Sequence, residues 1–256
     1  MLYKSTPLRP ELLLNSDVQV ARGKIQQKKL VMMIKKLLIT IDGPAGSGKS
    51  TASKALAREL SYLYLDTGAL YRAIASKVIK EKKNPDDEQA MQDLTNSLNL
   101  RLEAECGVLR IILDNEDITD HLRTEEVGLM ASKVSSLPRI REVLLPIQQK
   151  FGCCGGIVAE GRDMGTVVFP NADLKFFLHA TVSERAMRRH RELIEAGLPS
   201  QLEIVESKME LRDRQDTERS IAPLKIPADA VVIDSTALAF EEVVAAMLNA
   251  VKFLLS

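Results

Sequence analysis

An apolar, β-prone run, Leu37-Leu-Ile-Thr-Ile-Asp42, passes directly into Gly43-Pro-Ala-Gly46-Ser-Gly48-Lys49-Ser50-Thr51. Ala52, Ala55, Leu56 and Leu60 then follow near helical spacing. Glycine loses more conformational freedom on ordering than any other residue, so three glycines within six residues imply a loop with something to hold. The stretch fits G-x-x-x-x-G-K-[ST] in the strand–loop–helix context that gives this pattern its meaning. Glycines allow backbone angles that a Cβ would forbid, and the loop N–H groups then face inward as an anion nest. The helix that follows adds the positive end of its dipole. Lys49 is placed to reach the β- and γ-phosphates, and the Ser50 hydroxyl to meet Mg²⁺. The predicted triphosphate grip is therefore Gly43, Pro44, Ala45, Gly46, Ser47, Gly48, Lys49, Ser50 and Thr51, with ATP as phosphoryl donor and Mg²⁺ as cofactor.

The rest of the chain continues the strand–helix rhythm. Strands are expected at 37–42, 62–68, 156–161, 174–180 and 230–235, with helices over 49–61, 69–82, 181–196, 200–219 and 240–254. Such alternation predicts an α/β fold with a doubly wound parallel sheet. One block breaks it. Residues 98–119 alternate apolar and polar with period two on either side of Glu105-Cys-Gly107, which predicts a β-hairpin. Antiparallel ribbon inside an α/β chain points to an inserted subdomain, roughly 84–150, within a domain spanning 37–256. The first 36 residues carry eight Lys/Arg against two Asp/Glu, and their longest apolar run is far too short for a secretory signal. They read as a flexible basic extension with at most a short helix, rather than a targeting segment.

Balance excludes several functions. Lys plus Arg equals Asp plus Glu at 35 each, and aromatics are 4% without Trp, so neither a general field nor a stacking platform favours nucleic acid. No apolar run approaches the ~20 residues of a membrane span. Three cysteines, two of them adjacent at 153–154, give no disulfide framework or C-x-x-C metal pair and suit a cytoplasmic protein with reduced thiols. His121, His179 and His190 have no partners at metal-ligand spacing.

A phosphate grip does not name a reaction. The D-x-x-G switch and N-K-x-D base reader of a GTPase are both missing. Arginines are in excess away from the loop: Arg185, Arg188, Arg189 and Arg191 crowd one helix, and Arg212, Arg214 and Arg219 follow. Forked guanidinium donors suit the charge that spreads over a transferring phosphoryl group. Any single one of them could equally decorate a solvated helix face. Together with the loop they point to a kinase whose Arg-rich helical lid, within 181–219, closes over the phosphates.

Several separated motifs sharpen this: IDGPAGSGKST, LDTGALYRA, LPRIRE, AEGRDMGTVVFP, the FFLHAT block with its following arginines, and LRDRQDTERSIAPL. From about Leu38 to the C-terminus the chain resembles the bacterial cytidylate kinases, of the nucleoside monophosphate kinase group. That resemblance implies phosphorylation of CMP and dCMP by ATP, with the 84–150 insert binding the monophosphate. By the same resemblance Arg72 and Arg162 hold the acceptor phosphate, in the company of Thr67. Asp163, Arg212 and Asp216 hold the pentose hydroxyls, and Ser132, Arg141 and Arg219 read the cytosine edge. Arg185, Arg188 and Arg189 are lid arginines, so the catalytic group is Lys49, Arg162, Arg185, Arg188 and Arg189, with the Mg²⁺ ligand at Ser50. Glu160 stands where some members carry Asp, and Phe151–Gly156 reads as a surface turn. A monomer without nucleic-acid or membrane partners is expected. The rival readings are a kinase for UMP, AMP or a sugar, and a nucleotide-binding regulator associated with RNA.

Overall fold

The computed structural model describes residues 36–105, 108–119 and 124–256. The basic extension before Lys36, the hairpin turn at Cys106-Gly107 and His121 lie outside the described residues.

Five strands, β1 (Leu38–Asp42), β2 (Leu63–Asp66), β6 (Ile157–Gly161), β7 (Leu174–His179) and β8 (Val231–Asp234), form a parallel sheet in the order β2-β6-β1-β7-β8. Register is set by Leu38 opposite Ile157 and Ile39 opposite Leu174. The central strands are apolar on both faces because helices cover both. On one side Ile39, Ile41, Val158 and Phe176 join α1 (Lys49–Leu60) and α8 (Phe240–Leu255) in one core. Burial of such side chains contributes roughly 1.5–3 kcal/mol each. Along the chain β1 leads to β2, two places away, and the return through β6 then jumps across β1 to β7. The sheet therefore reverses direction at β1, and ligands of open α/β sheets bind at the carboxyl ends of the strands at such a point.

The expected strand over 62–68 stops at Asp66. Its carboxylate accepts the Ala69 amide N–H at 3.1 Å and so caps α2 (Thr67–Lys80), which starts earlier than its apolar period suggests.

The antiparallel block has three strands rather than two: β3 (Leu100–Glu105), β4 (Val108–Leu113) and the short β5 (Glu116–Asp117). Asp114 and Asn115 link β4 to β5 with φ of 51° and 69°. Positive φ at both central residues of a two-residue loop is the hairpin turn that matches strand twist. Residues 84–150 also include α3 (Glu88–Asn96), α4 (Glu125–Val134) and α5 (Pro138–Gly152). These elements share one core with α2, in which Leu70, Ile74, Leu94, Ile111, Val134, Ile140 and Leu144 meet. Finally α6 (Val182–Glu195) and α7 (Leu202–Glu218) form a helical hairpin over the same sheet edge, joined through Ala186, Val205 and Met209.

Candidate active site

The glycine-rich loop leaves β1 at Asp42 and closes on α1 at Lys49. Gly43 is the one residue that fits its place, because a Cβ there would lie 2.0 Å from the Leu178 carbonyl oxygen on β7. Gly46 and Gly48 take left-handed φ of 76° and 82°, as the nest requires. Gly46, Gly48, Ser50 and Thr51 are exposed, whereas Pro44, Ser47 and Lys49 are buried and Ala45 half-buried. The loop is anchored below and open above.

Lys49 donates from Nζ to the Pro44 carbonyl at 2.9 Å. Burial, reinforced by the nearby Arg162 charge, holds its amine down at about 7. A neutral carbonyl is a poor partner for an ammonium group, and an anion in the loop would restore the charge. Ser50 donates to one Glu160 carboxylate oxygen at 2.9 Å, and the Tyr64 hydroxyl donates to the other. Thr67 Oγ1 donates to the Glu160 carbonyl at 2.7 Å. Burial and the Asp66 charge push the Glu160 carboxyl up, against the pull of Lys49.

Behind the loop, Asp42 accepts the amide N–H groups of Met164 at 2.8 Å and Gly165 at 2.7 Å. Met164–Val168 is a single π-helical turn, a form often found at functional sites. Asp42 thus ties the root of the phosphate loop to the segment that carries Arg162 and Asp163. Burial pushes its carboxyl up to about 6. Sequence reasoning gave Asp42 no role; its place at the end of β1, directly before the glycines, was the available signal.

Beside the loop, arginines and carboxylates interleave. Arg72 pairs with Asp66 at 2.7 Å. Arg162 donates to Asp216 at 2.7 Å, and although burial opposes it the Arg162 charge holds the Asp216 carboxyl low. Arg141 pairs with Asp163, donates to the Ser135 carbonyl at 3.2 Å and lies 5.7 Å over the Tyr71 ring. Arg219 donates to the Ala222 carbonyl at 2.7 Å and stands 3.8 Å from Asp163. Burial outweighs both arginines at Asp163, whose carboxyl is raised. Burial and Arg162 bring the Arg212 guanidinium down to about 10. Among the described residues, three buried donors in this group, Arg72 Nε, Arg212 Nε and Arg219 Nη2 (the last 3.8 Å from an Asp163 oxygen), have no hydrogen-bond partner. Orphaned buried donors are costly, and an anionic or acceptor-rich ligand would satisfy them.

The helical hairpin contributes unequally. Arg185 is buried, donating to the Ala45 carbonyl of the loop at 3.0 Å and to Asp213 at 3.2 Å. Arg188 donates to Glu184 at 2.9 Å and to the Ser235 carbonyl at 2.6 Å, and the Ser235 hydroxyl in turn donates to the Ser47 carbonyl at 3.2 Å. Arg189 stands apart, exposed and paired with Glu192 at 3.0 Å. Ser132 is half-buried, and its carbonyl accepts the Ser135 hydroxyl at 2.8 Å. Ser135 touches both Arg141 and Arg219: its carbonyl accepts from Arg141 and its hydroxyl from Arg219 at 3.4 Å. Ser132 and Ser135 lie three residues apart, about one helical turn.

The sheet edge thus joins the glycine-rich loop to a cluster of interleaved arginines and carboxylates. A family model described as cytidylate kinase matches residues 39–253. Among curated relatives, the cytidylate kinase of Geobacter sp. (strain M21) is 44% identical over 216 residues, covering 84% of this chain and 93% of that protein. The cytidylate kinase of Geobacillus sp. (strain WCH70) is 46% identical over 206 residues, 80% of this chain and 92% of its own. That of Pasteurella multocida (strain Pm70) is 42% identical over 217 residues, 85% and 96% respectively. The chain belongs to the cytidylate kinase family.

Proposed function

We propose that this family member transfers the γ-phosphoryl group of ATP to CMP and dCMP, giving CDP and dCDP by direct in-line displacement. One observation carries the reading: the open glycine loop leaves the carboxyl end of β1, while Arg162 and Asp163 follow the carboxyl end of β6 and Arg72 pairs with Asp66 at the carboxyl end of β2, all in one parallel sheet. Phosphoryl transfer asks a protein chiefly to position two anions and stabilise charge. Lys49, the loop amides and the α1 N-terminus hold the donor phosphates. Arg72 and Arg162 take the acceptor phosphate, with Thr67 next to them. Arg185 already reaches the loop through Ala45, and Arg188 and Arg189 join it when the 181–219 lid closes and excludes water.

Asp163, Arg212 and Asp216 serve the pentose. Neutral cytosine offers acceptors at N3 and O2, which guanidinium groups can only donate to. Arg141 and Arg219, steadied by Asp163 between them, supply those donors, and Ser132 completes the same edge from α4. Uracil would bring an N3–H donor against them. Residues 84–150 form the monophosphate-binding part on this reading.

A hydroxyl and a carboxylate side by side, Ser50 and Glu160 at 2.9 Å, form an all-oxygen donor set that suits Mg²⁺. Ser50 would hold the ion, with Glu160 behind it. Bound there, Mg²⁺ neutralises the phosphate oxygens of ATP. On this reading the enzyme works as a monomer in the cytoplasm, where its substrates are. The arginines of the site turn inward onto Asp163, Asp213 and Asp216, which disfavours the RNA-associated reading, and family membership disfavours UMP, AMP or a sugar as main acceptor. An ADP-release assay across all nucleoside monophosphates tests this. CMP and dCMP should lead by a wide margin, and comparable turnover of UMP or AMP would overturn the assignment.

A further inference from the structure

Two thiols stand at the opposite end of the sheet from the phosphate loop. Cys153 and Cys154 follow α5 in the turn that leads into β6, and both are exposed. The turn has a fixed shape. Gly155 and Gly156 take φ of 65° and 71°, and a Cβ on Gly155 would fall 1.9 Å from the Lys36 carbonyl oxygen. The Gly156 amide donates to the Leu37 carbonyl at 2.8 Å, and the Leu63 amide donates to the Gly156 carbonyl at 2.9 Å. Both contacts lie at the entrances of β1 and β2. The Cys153 thiol donates to the Lys150 carbonyl at 3.0 Å, which orients it, and the two sulfurs stand 3.4 Å apart.

Two features narrow what such a pair can take. Their peptide is trans, so the Cα atoms are about 3.8 Å apart, closer than the roughly 4.4 Å at which ordinary disulfides begin. Closing a disulfide would demand backbone movement that the pinned turn resists, so the pair persists as a dithiol. The carbonyl end of α5 disfavours thiolate, and the neighbouring Cys153 pushes the Cys154 thiol up. Among the described residues, no group of three or more His, Cys, Asp and Glu side chains is placed to hold a metal ion. Zinc asks for four ligands and for deprotonated thiols. A neutral electrophile that takes two thiols and carries its own third substituent fits better.

We propose that Cys153 and Cys154 form a two-point binding site for monosubstituted trivalent arsenicals. The reaction balances without any redox partner. Both S–H bonds break and two As–S bonds form. The oxygen of the arsenoxide leaves as water with the two thiol protons, and arsenic stays trivalent.

The test uses the full chain with phenylarsine oxide in a Cys106→Ser background, so that the third thiol takes no part. Intact mass should show one adduct equal to the reagent less one water, stable to excess monothiol and removed by a dithiol. Adding Cys153→Ser or Cys154→Ser should weaken binding on the order of 10²–10⁴-fold, because the second As–S bond is intramolecular only in the pair. Both cysteines are exposed turn residues, and circular dichroism checks that the variants stay folded. Equal retention by a single-cysteine variant, or no adduct on the folded protein with both thiols present, would overturn the proposal.

Discussion

Arg141→Met tests the base pocket and the packing beneath it together. Arg141 and Asp163 are 10% and 3% exposed at their side chains. Removing one partner of a buried ion pair costs roughly 3–5 kcal/mol, because the other charge is stranded. Here Arg219 remains 3.8 Å from Asp163, so the lower end applies, about 3 kcal/mol or a fall of roughly 6–12 °C in Tm. The loss should depend on pH. Asp163 is raised in the folded protein, so it favours folding most below its unfolded pKa, and that contribution is lost as pH rises toward the folded value. Without Arg141 the folded value rises further, so the deficit should be large at pH 8 and shrink at pH 5. Asp163→Asn added to Arg141→Met should recover more than half of the stability, since no charge is left stranded. It should not recover base choice: kcat/KM for CMP over UMP should fall by ~1–3 kcal/mol in both variants, the scale of a good base-edge contact. Thermal melts at the two pH values and steady-state kinetics on both nucleotides measure all of this. A single mutant as stable as wild type, with no pH dependence, would refute the pairing; an unchanged CMP/UMP ratio would remove Arg141 from the base edge.

Three further outcomes follow from the same geometry. Lys49→Ala should lower turnover by about 10²–10³-fold, the usual loss for one electrostatic stabiliser, while circular dichroism stays native; near-full activity would rule the loop out as donor site. Gly43→Ala should cost roughly 1–3 kcal/mol or more by overpacking, since its Cβ would meet Leu178 at 2.0 Å, and an unaltered melt with unaltered KM for ATP would contradict that contact. Proteolysis within 185–200 should slow when a bisubstrate analogue bridges donor and acceptor sites, and an unchanged cleavage rate would argue against a closing lid.

Much of this was legible in the sequence because it is local. The glycines between β1 and α1, the alternation of strands and helices, and the period-two pattern around 98–119 report on neighbours a few residues apart. The position of Lys49 and Ser50 at a helix start follows from the same short-range rules. Ends shifted by a residue or two in several elements, as where Asp66 capped α2, and a two-residue turn at Asp114-Asn115 added a third strand. Pairing belonged to the tertiary structure. Arg162 meets Asp216, 54 residues away, and Arg141 meets Asp163, 22 residues away. Asp42 holds amides 122 and 123 residues along the chain. Arg188 turns inward to Ser235 whereas its neighbour Arg189 faces solvent, and Ser135 touches both Arg141 and Arg219. A charge in sequence carries no record of its partner. Which carboxylate reaches which guanidinium, and which donor is left unpaired for a ligand, is fixed only when the sheet brings distant strand ends to one edge and removes the water that would otherwise satisfy them all.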